Sequence, residues 1–343
     1  MKNLGKILVL AILQVGVILS LPLFMAKEGE KTPVAPTAAV MAENEIKNQQ
    51  TEHSFEEQEK VIHMLAAEGE RDISLEEYLF GVVAAEMPAS FEPEALMAQA
   101  VAARSYAMFR VSSGVHGGAV CTDYNCCQAW LSEEELKEKW GAYYDVYSDK
   151  IRAAVCETEG QCLAYEGEPI LAAFHSSSGG RTESSENVFG QAIPYLVSVD
   201  SMEDPAAIPN YISSVELTED ELYAAIAAWN EDAAVRVSEG ALFSEAVFST
   251  SGRLLSVKLC GEEVNGSMLR KVFSLRSSDI SWERVDKGIR FTVTGYGHGV
   301  GMSQYGANNM AKQGSGWREI VAHYYTGASI VPVSAFEERT EAL

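Results

Sequence analysis

The sequence predicts an α+β protein: an N-terminal transmembrane helix and linker, then a helical segment packed on a strand-rich region that forms a substrate cleft. Three observations predict it. An uncharged run covers Ile7 to Ala26, an alanine-rich helical stretch covers about 74 to 109, and alternating strand-like segments separated by turns fill about 160 to 300. Of the 343 residues, 47% are hydrophobic, ample for a core.

The elements follow in order. Lys2 and Lys6 precede the apolar run. Twenty residues at helical rise span about 30 Å, the hydrocarbon thickness, and lysines before the run favour an N-terminus inside and the rest outside. A cleaved signal peptide is the competing reading. The run is long for a signal, and Leu23-Phe24-Met25-Ala26 is not a small-x-small site, which favours an uncleaved anchor over residues 1–26. Residues 27–60 read as a flexible acidic and polar linker, because Pro33, Pro36 and the Glu/Asn/Gln run offer little to bury. Residues 61–343 are the folded, catalytic part.

Ser74 reads as an N-cap and Glu76 and Glu77 as first-turn acids. Pro88 disfavours helix at Met87, so this helix ends near Glu86. Glu86 is the only charge between Leu79 and Met87. Apolar surroundings and the negative end of a helix dipole both favour the protonated carboxyl, which makes Glu86 a candidate general acid. A second helix opens at Pro93, suited to the first helical position, and runs to about Phe109. Its alanines read as a close-packed core. Arg104 within it needs an anionic partner: Glu86, a substrate oxygen or a structural carboxylate. Further on, 161–165 and 170–174 flank a turn at Glu166-Gly167-Glu168-Pro169. Segments 255–259 and 290–294 alternate as half-buried strands, and 217–230 reads as a helix capped by Thr218. Residues 203 to 250 are acidic and read as a lobe that shapes the cleft or touches a partner.

A net charge of −23, from 26 basic and 49 acidic residues, argues against a nucleic-acid partner. Two loops carry candidate binding residues. His175-Ser176-Ser177-Ser178-Gly179-Gly180-Arg181-Thr182 follows an apolar strand; its hydroxyls and Arg181 suit a sugar surface. It lacks the Gly-x-Ser-x-Gly elbow and the P-loop lysine. Gly295 to Ala307, with alternate glycines, offers His298 and Gln304 to a cleft. His116, Cys121, Cys126 and Cys127 lie within twelve residues. Such donors suit zinc; adjacency of Cys126 and Cys127 argues that only one of the pair binds. A Cys121–Cys127 disulfide is the alternative.

Together, Leu75-Glu76-Glu77-Tyr78-Leu79 through Glu86-Met87-Pro88, Glu94 through Ala107, Ser176 through Glu183, Leu275-Arg276-Ser277-Ser278 and Gly297 through Ala307 resemble the stage II sporulation protein D family, which includes amidase-enhancer proteins. The resemblance covers nearly all of the folded part. It implies a peptidoglycan lytic transglycosylase acting during engulfment on glycan strands whose stem peptides have been removed. It implies partnership with a sporulation amidase and a third membrane protein, at the mother-cell membrane facing the septum. Glu86 matches the family's catalytic glutamate, Arg104 its active-site arginine and Tyr195 a tyrosine implicated in function; Val197 stands where relatives often carry a lysine. Ser177, Ser178, Arg181, His298 and Gln304 would complete the substrate site. His116, Cys121 and Cys127 match the zinc ligands of some relatives. The alternative function is a non-catalytic glycan-binding module that stimulates an amidase.

Overall fold

A computed structural model of the chain describes residues 60–238 and 242–336. The expected anchor and all of the linker but Lys60 lie outside these residues. Among the described residues no helix is long and apolar enough to cross a membrane. Helices and strands mix as the α+β expectation requires, and they gather around two hydrophobic cores.

The first core begins with hairpin β1 (Val61–Ala66) and β2 (Gly69–Ser74). Ser74 caps α1 (Leu75–Glu86), its hydroxyl accepting the Glu77 N–H at 3.2 Å. The helix is buried from Tyr78 through Ala84, apolar all round, as a central helix must be. It stops where Met87 turns extended, at φ −118°, because Pro88 follows. α2 (Pro93–Ser112) starts on its proline and buries Ala95, Ala98, Ala100, Ala102, Ala103 and Ala107 completely. Side chains this small let other elements approach closely. β3 (Val120–Cys121) joins β1 in parallel. α3 (Glu133–Trp140) and α4 (Tyr144–Glu157) follow.

Arg104 ties this core together. Fully buried, it grips the Glu76 carboxylate through Nε at 3.0 Å and Nη2 at 2.5 Å, and donates to the carbonyls of Gln161 and Val155. The bidentate pair fixes α1 to α2, and the two carbonyls bring in α4 and β4 (Gln161–Tyr165). Ser105 adds to this, its hydroxyl accepting the Leu163 N–H at 2.8 Å.

β5 (Glu168–Pro169) closes the expected turn, but no strand fills 170–174. The donors there are spent locally: Ala172 N–H on Ile170, Ala173 N–H on Leu171, and Leu171 N–H on the Tyr195 hydroxyl. Only β6 (Phe174–His175) is extended in a ladder, paired in parallel with a late strand at 302–303. A short helix, α5 (Ser185–Phe189), follows.

The second core is built by β7 (Ile212–Thr218), α6 (Glu219–Trp229), α7 (Glu231–Val235), β8 (Phe243–Phe248), β9 (Leu254–Leu259), β10 (Glu262–Asn265), α8 (Gly266–Val272), β11 (Ile280–Val285) and β12 (Gly288–Thr294). Leu222, Ile226, Leu259, Leu269, Phe273 and Phe291 fill it. Thr218 caps α6 in a full capping box with Glu221; Leu217, expected in that helix, lies in β7 instead. Most of the acidic stretch 203–250 thus belongs to a lobe with its own core. The chain then returns to the first core through β13 (Met302–Ser303), α9 (Gln304–Lys312), α10 (Trp317–Tyr324) and β14 (Ser329–Pro332), which pairs with β4.

Candidate active site

Glu86 is the last residue of α1, so the helix carries it from the core to its rim. Its Oε1 accepts the Ala129 N–H at 2.9 Å. Burial pushes its pKa up to about 7; the Ala129 N–H and the Lys139 ammonium pull the other way and do not prevail. Lys139 is itself held near by donating to the Ala84 carbonyl at 3.0 Å. At neutral pH the carboxyl therefore sits near the midpoint of its titration, where it can give a proton and take one back.

Ala129 is positioned by the segment around it. The Leu131 N–H donates to the Gly81 carbonyl at 3.3 Å, and the Tyr78 hydroxyl donates to Gln128 at 3.4 Å. Between them the Trp130 indole lies directly on Gly81. Any Cβ there would collide with the ring. Gly81 costs about 1 kcal/mol of helix propensity against alanine; its place in the middle of α1 is explained by this seat.

One turn earlier the same segment gathers His116, Cys121, Cys126 and Cys127, whose ligand atoms all lie within 4.8 Å of one another. In a tetrahedral zinc site two sulfurs at about 2.3 Å from the ion lie about 3.8 Å apart, so the four could close on one ion by moving about 1 Å or less. Both adjacent cysteines reach this cluster, although only one of the pair was expected to bind. The Asp123 carbonyl accepts the N–H groups of both Cys126 and Cys127, at 3.0 and 2.8 Å, and this tight turn brings both thiols to one side. His116 Nε2 lies 3.1 Å from Cys126 Sγ. No disulfide links Cys121 to Cys127; both are free thiols.

The other expected site residues have structural partners. Arg104 is enclosed on Glu76, which leaves its guanidinium no face for a sugar or for Glu86. Tyr195 is buried against Tyr165, its hydroxyl accepting the Leu171 N–H at 3.0 Å. Ser177 exchanges backbone hydrogen bonds with Tyr296. Ser178 gives its N–H and its hydroxyl to Glu203, at 2.6 and 2.8 Å. Gln304 is buried and pairs with Gln99 at 3.4 Å. Arg181 is half-exposed but holds Asp200 at 2.5 Å. Their side chains are turned to protein partners or buried in this arrangement.

His298 remains at the surface in part. Burial and the charges of Arg270 and Arg253 push its imidazole down to about 4, so the ring is neutral and its Nδ1 accepts the Val300 N–H at 3.0 Å. Gly299 allows this crowding, since a Cβ would run into the Arg253 guanidinium at 2.5 Å. The residues that sequence reasoning missed are Ala129, Trp130 and Lys139, while Cys126 was weighed with Cys127 as a pair of which one would bind. A backbone N–H is invisible in a sequence.

Residues 68–165 match the SpoIID family, described as Stage II sporulation protein. The chain is 38% identical over 280 residues to Stage II sporulation protein D of Bacillus subtilis, covering 80% of this chain and 79% of that one. It is 38% identical to the protein of the same name from Bacillus amyloliquefaciens, over 77% and 76% of the two chains. An amidase enhancer of Bacillus subtilis is 29% identical over 74% of this chain and 40% of its own length. The chain belongs to the stage II sporulation protein D family.

The Gly81–Trp130 contact can be tested by Gly81→Ala. Helix propensity alone would stabilise it by about 1 kcal/mol, but overpacking against an indole costs about 1–3 kcal/mol or more. Thermal unfolding is expected to show a net loss; a gain in stability would contradict the seat.

Proposed function

We propose that this family member is a lytic transglycosylase that cleaves peptide-stripped glycan strands of peptidoglycan at the bond between N-acetylmuramic acid and N-acetylglucosamine. The observation that carries the reading is Glu86, with its pKa raised to about 7 and one backbone N–H on its carboxylate. The protonated carboxyl donates to the glycosidic oxygen as that bond breaks. The muramic acid 6-hydroxyl attacks its own anomeric carbon, and the carboxylate takes the hydroxyl proton. The product ends in a 1,6-anhydro ring, and Glu86 is protonated again. The Ala129 N–H and Lys139 favour the carboxylate formed midway. Hydrolysing glycosidases ordinarily need a second carboxyl. Attack by the strand's own 6-hydroxyl needs no second carboxyl to activate a water.

His116, Cys121, Cys126 and Cys127 would hold a zinc ion. With four protein donors such an ion would play a structural role. It would stiffen the loop that presents the Ala129 N–H two residues later. The protein would be anchored by residues 1–26 in the mother-cell membrane, with its catalytic part outside the cytoplasm, beside a sporulation amidase and a third membrane protein. A second reading, a glycan-binding module that stimulates an amidase, is favoured by the likeness to a protein named amidase enhancer.

Mass spectrometry of peptide-free strands incubated with the protein tests the reaction. Anhydro-ended fragments are expected, and Glu86→Gln should lower their yield by about 10²-fold or more. Fragments with ordinary reducing ends would contradict the mechanism. No fragments, with amidase stimulation intact in Glu86→Gln, would support the second reading. For the metal, elemental analysis should find one zinc per chain, and chelation should lower the unfolding temperature. Purified protein that holds no zinc and unfolds at the same temperature with chelator would refute the site.

A further inference from the structure

The chain carries a net charge of −23, and several of its arginines are held by that acid. Arg104, Arg152, Arg181, Arg236 and Arg290 each have a carboxylate within 2.7 Å. Arg270 and Arg276 differ. Among the described residues neither has a carboxylate within ion-pairing distance; Tyr296 and Tyr305 lie beside Arg276, and Arg270 is within electrostatic reach of Arg253 and His298. Arg276 lies over the Tyr296 ring at 4.4 Å, and its buried Nε has no hydrogen-bond partner. Arg270 gives Nε to the Leu275 carbonyl at 3.1 Å, which leaves the rest of its fork open. His175 is 4% exposed, and its Nε2 also lacks a partner. Burial lowers the pKa of both arginines, a cost that an anionic ligand would offset.

This cationic patch is built into the frame that holds Glu86. The Arg276 carbonyl accepts the Gly297 N–H at 3.0 Å, fixing the glycine loop to it. Tyr305, beside Arg276, meets the Phe91 ring edge-on at 4.9 Å, and Phe91 lies in the short connection that follows Glu86-Met87-Pro88. Aromatic rings and a partly desolvated guanidinium suit a sugar that bears a carboxylate.

We propose that Arg276, supported by Arg270, is the subsite for the free lactyl carboxylate of a peptide-free muramic acid residue. An amidase that removes a stem peptide converts the lactyl amide into that carboxylate. A planar guanidinium pairs with a carboxylate through two parallel hydrogen bonds and cannot do so with an amide. The subsite thus selects stripped strands by reading the group that stripping leaves. The inference rests on the proposed substrate class, and it concerns recognition and not bond cleavage.

Binding to the full chain carrying Glu86→Gln, which should not cut, tests it apart from catalysis. The probes are a short peptide-free glycan oligosaccharide and the same oligosaccharide with its lactyl carboxylates converted to methylamides. Calorimetry should show the acid binding about tenfold or more tighter than the amide. Adding Arg276→Gln should abolish that preference, Arg270→Gln should reduce it, and Arg276→Lys should restore part of it. Equal binding of the two oligosaccharides, or a preference that survives Arg276→Gln in protein with unchanged circular dichroism, overturns the subsite. Discriminating binding by a protein that never cuts glycan would overturn the transglycosylase reading and leave the subsite standing.

Discussion

The hydrogen bond from the Ala129 N–H to Glu86 joins the parts on which the site depends. A carboxyl at the rim of an apolar helix is useful only if one form of it is not stabilised too far. Burial alone would leave it an acid that gives up its proton poorly, and several N–H donors would leave it a permanent carboxylate. One donor and one nearby ammonium bring it to about 7. That balance requires the 126–131 segment to be held in place. The Gly81 seat for Trp130, the Leu131 N–H on the Gly81 carbonyl and the four-ligand cluster at Cys126 and Cys127 all act on this one segment.

The two cores meet this requirement from different sides. The first holds α1 rigid through the Arg104–Glu76 clamp. The second supplies the residues that fix the serine and glycine loops. Ser249 and Ser251 donate to Glu183 at 2.5 and 2.6 Å, and Arg253 donates to the Gly297 carbonyl at 3.2 Å. These contacts bridge loops of the first core to the β8–β9 connection of the second. Charged and polar groups that look like ligands for a sugar are, in large part, fastenings within the fold. The patch without carboxylate partners, at Arg270 and Arg276, is tied to the glycine loop through the Gly297 N–H.

What was legible in the sequence was local. The limits of α1 follow from Ser74 and Pro88, and the raised pKa of Glu86 from the lack of charge around it. The start of α2 follows from Pro93, and the cap of α6 from Thr218. What was not legible was pairing at a distance. Arg104 could have met Glu86 or a ligand; its partner, Glu76, is 28 positions away and was read only as a first-turn acid. Residues 170–174 have strand composition, yet the Tyr195 hydroxyl and local carbonyls take their donors. Cys126 was set aside because neighbouring side chains usually diverge, and the turn on the Asp123 carbonyl reverses that expectation. Ser178 and Gln304 have the chemistry of ligand-binding residues, but burial gave them protein partners. The family likeness identified the chain correctly, while the side-chain roles had to come from three-dimensional contacts.

The account stands on the protonation state of Glu86, and the most direct measurement is a carboxyl-carbon NMR titration of the ¹³C-glutamate-labelled protein, with Glu86 assigned by difference against Glu86→Gln. A resonance that titrates with a midpoint near 7, and moves up when Lys139→Ala removes the ammonium beside it, is the result expected. A midpoint in the ordinary glutamate range, near 4.3, would mean that the carboxyl is already ionised at neutral pH and cannot serve as the acid.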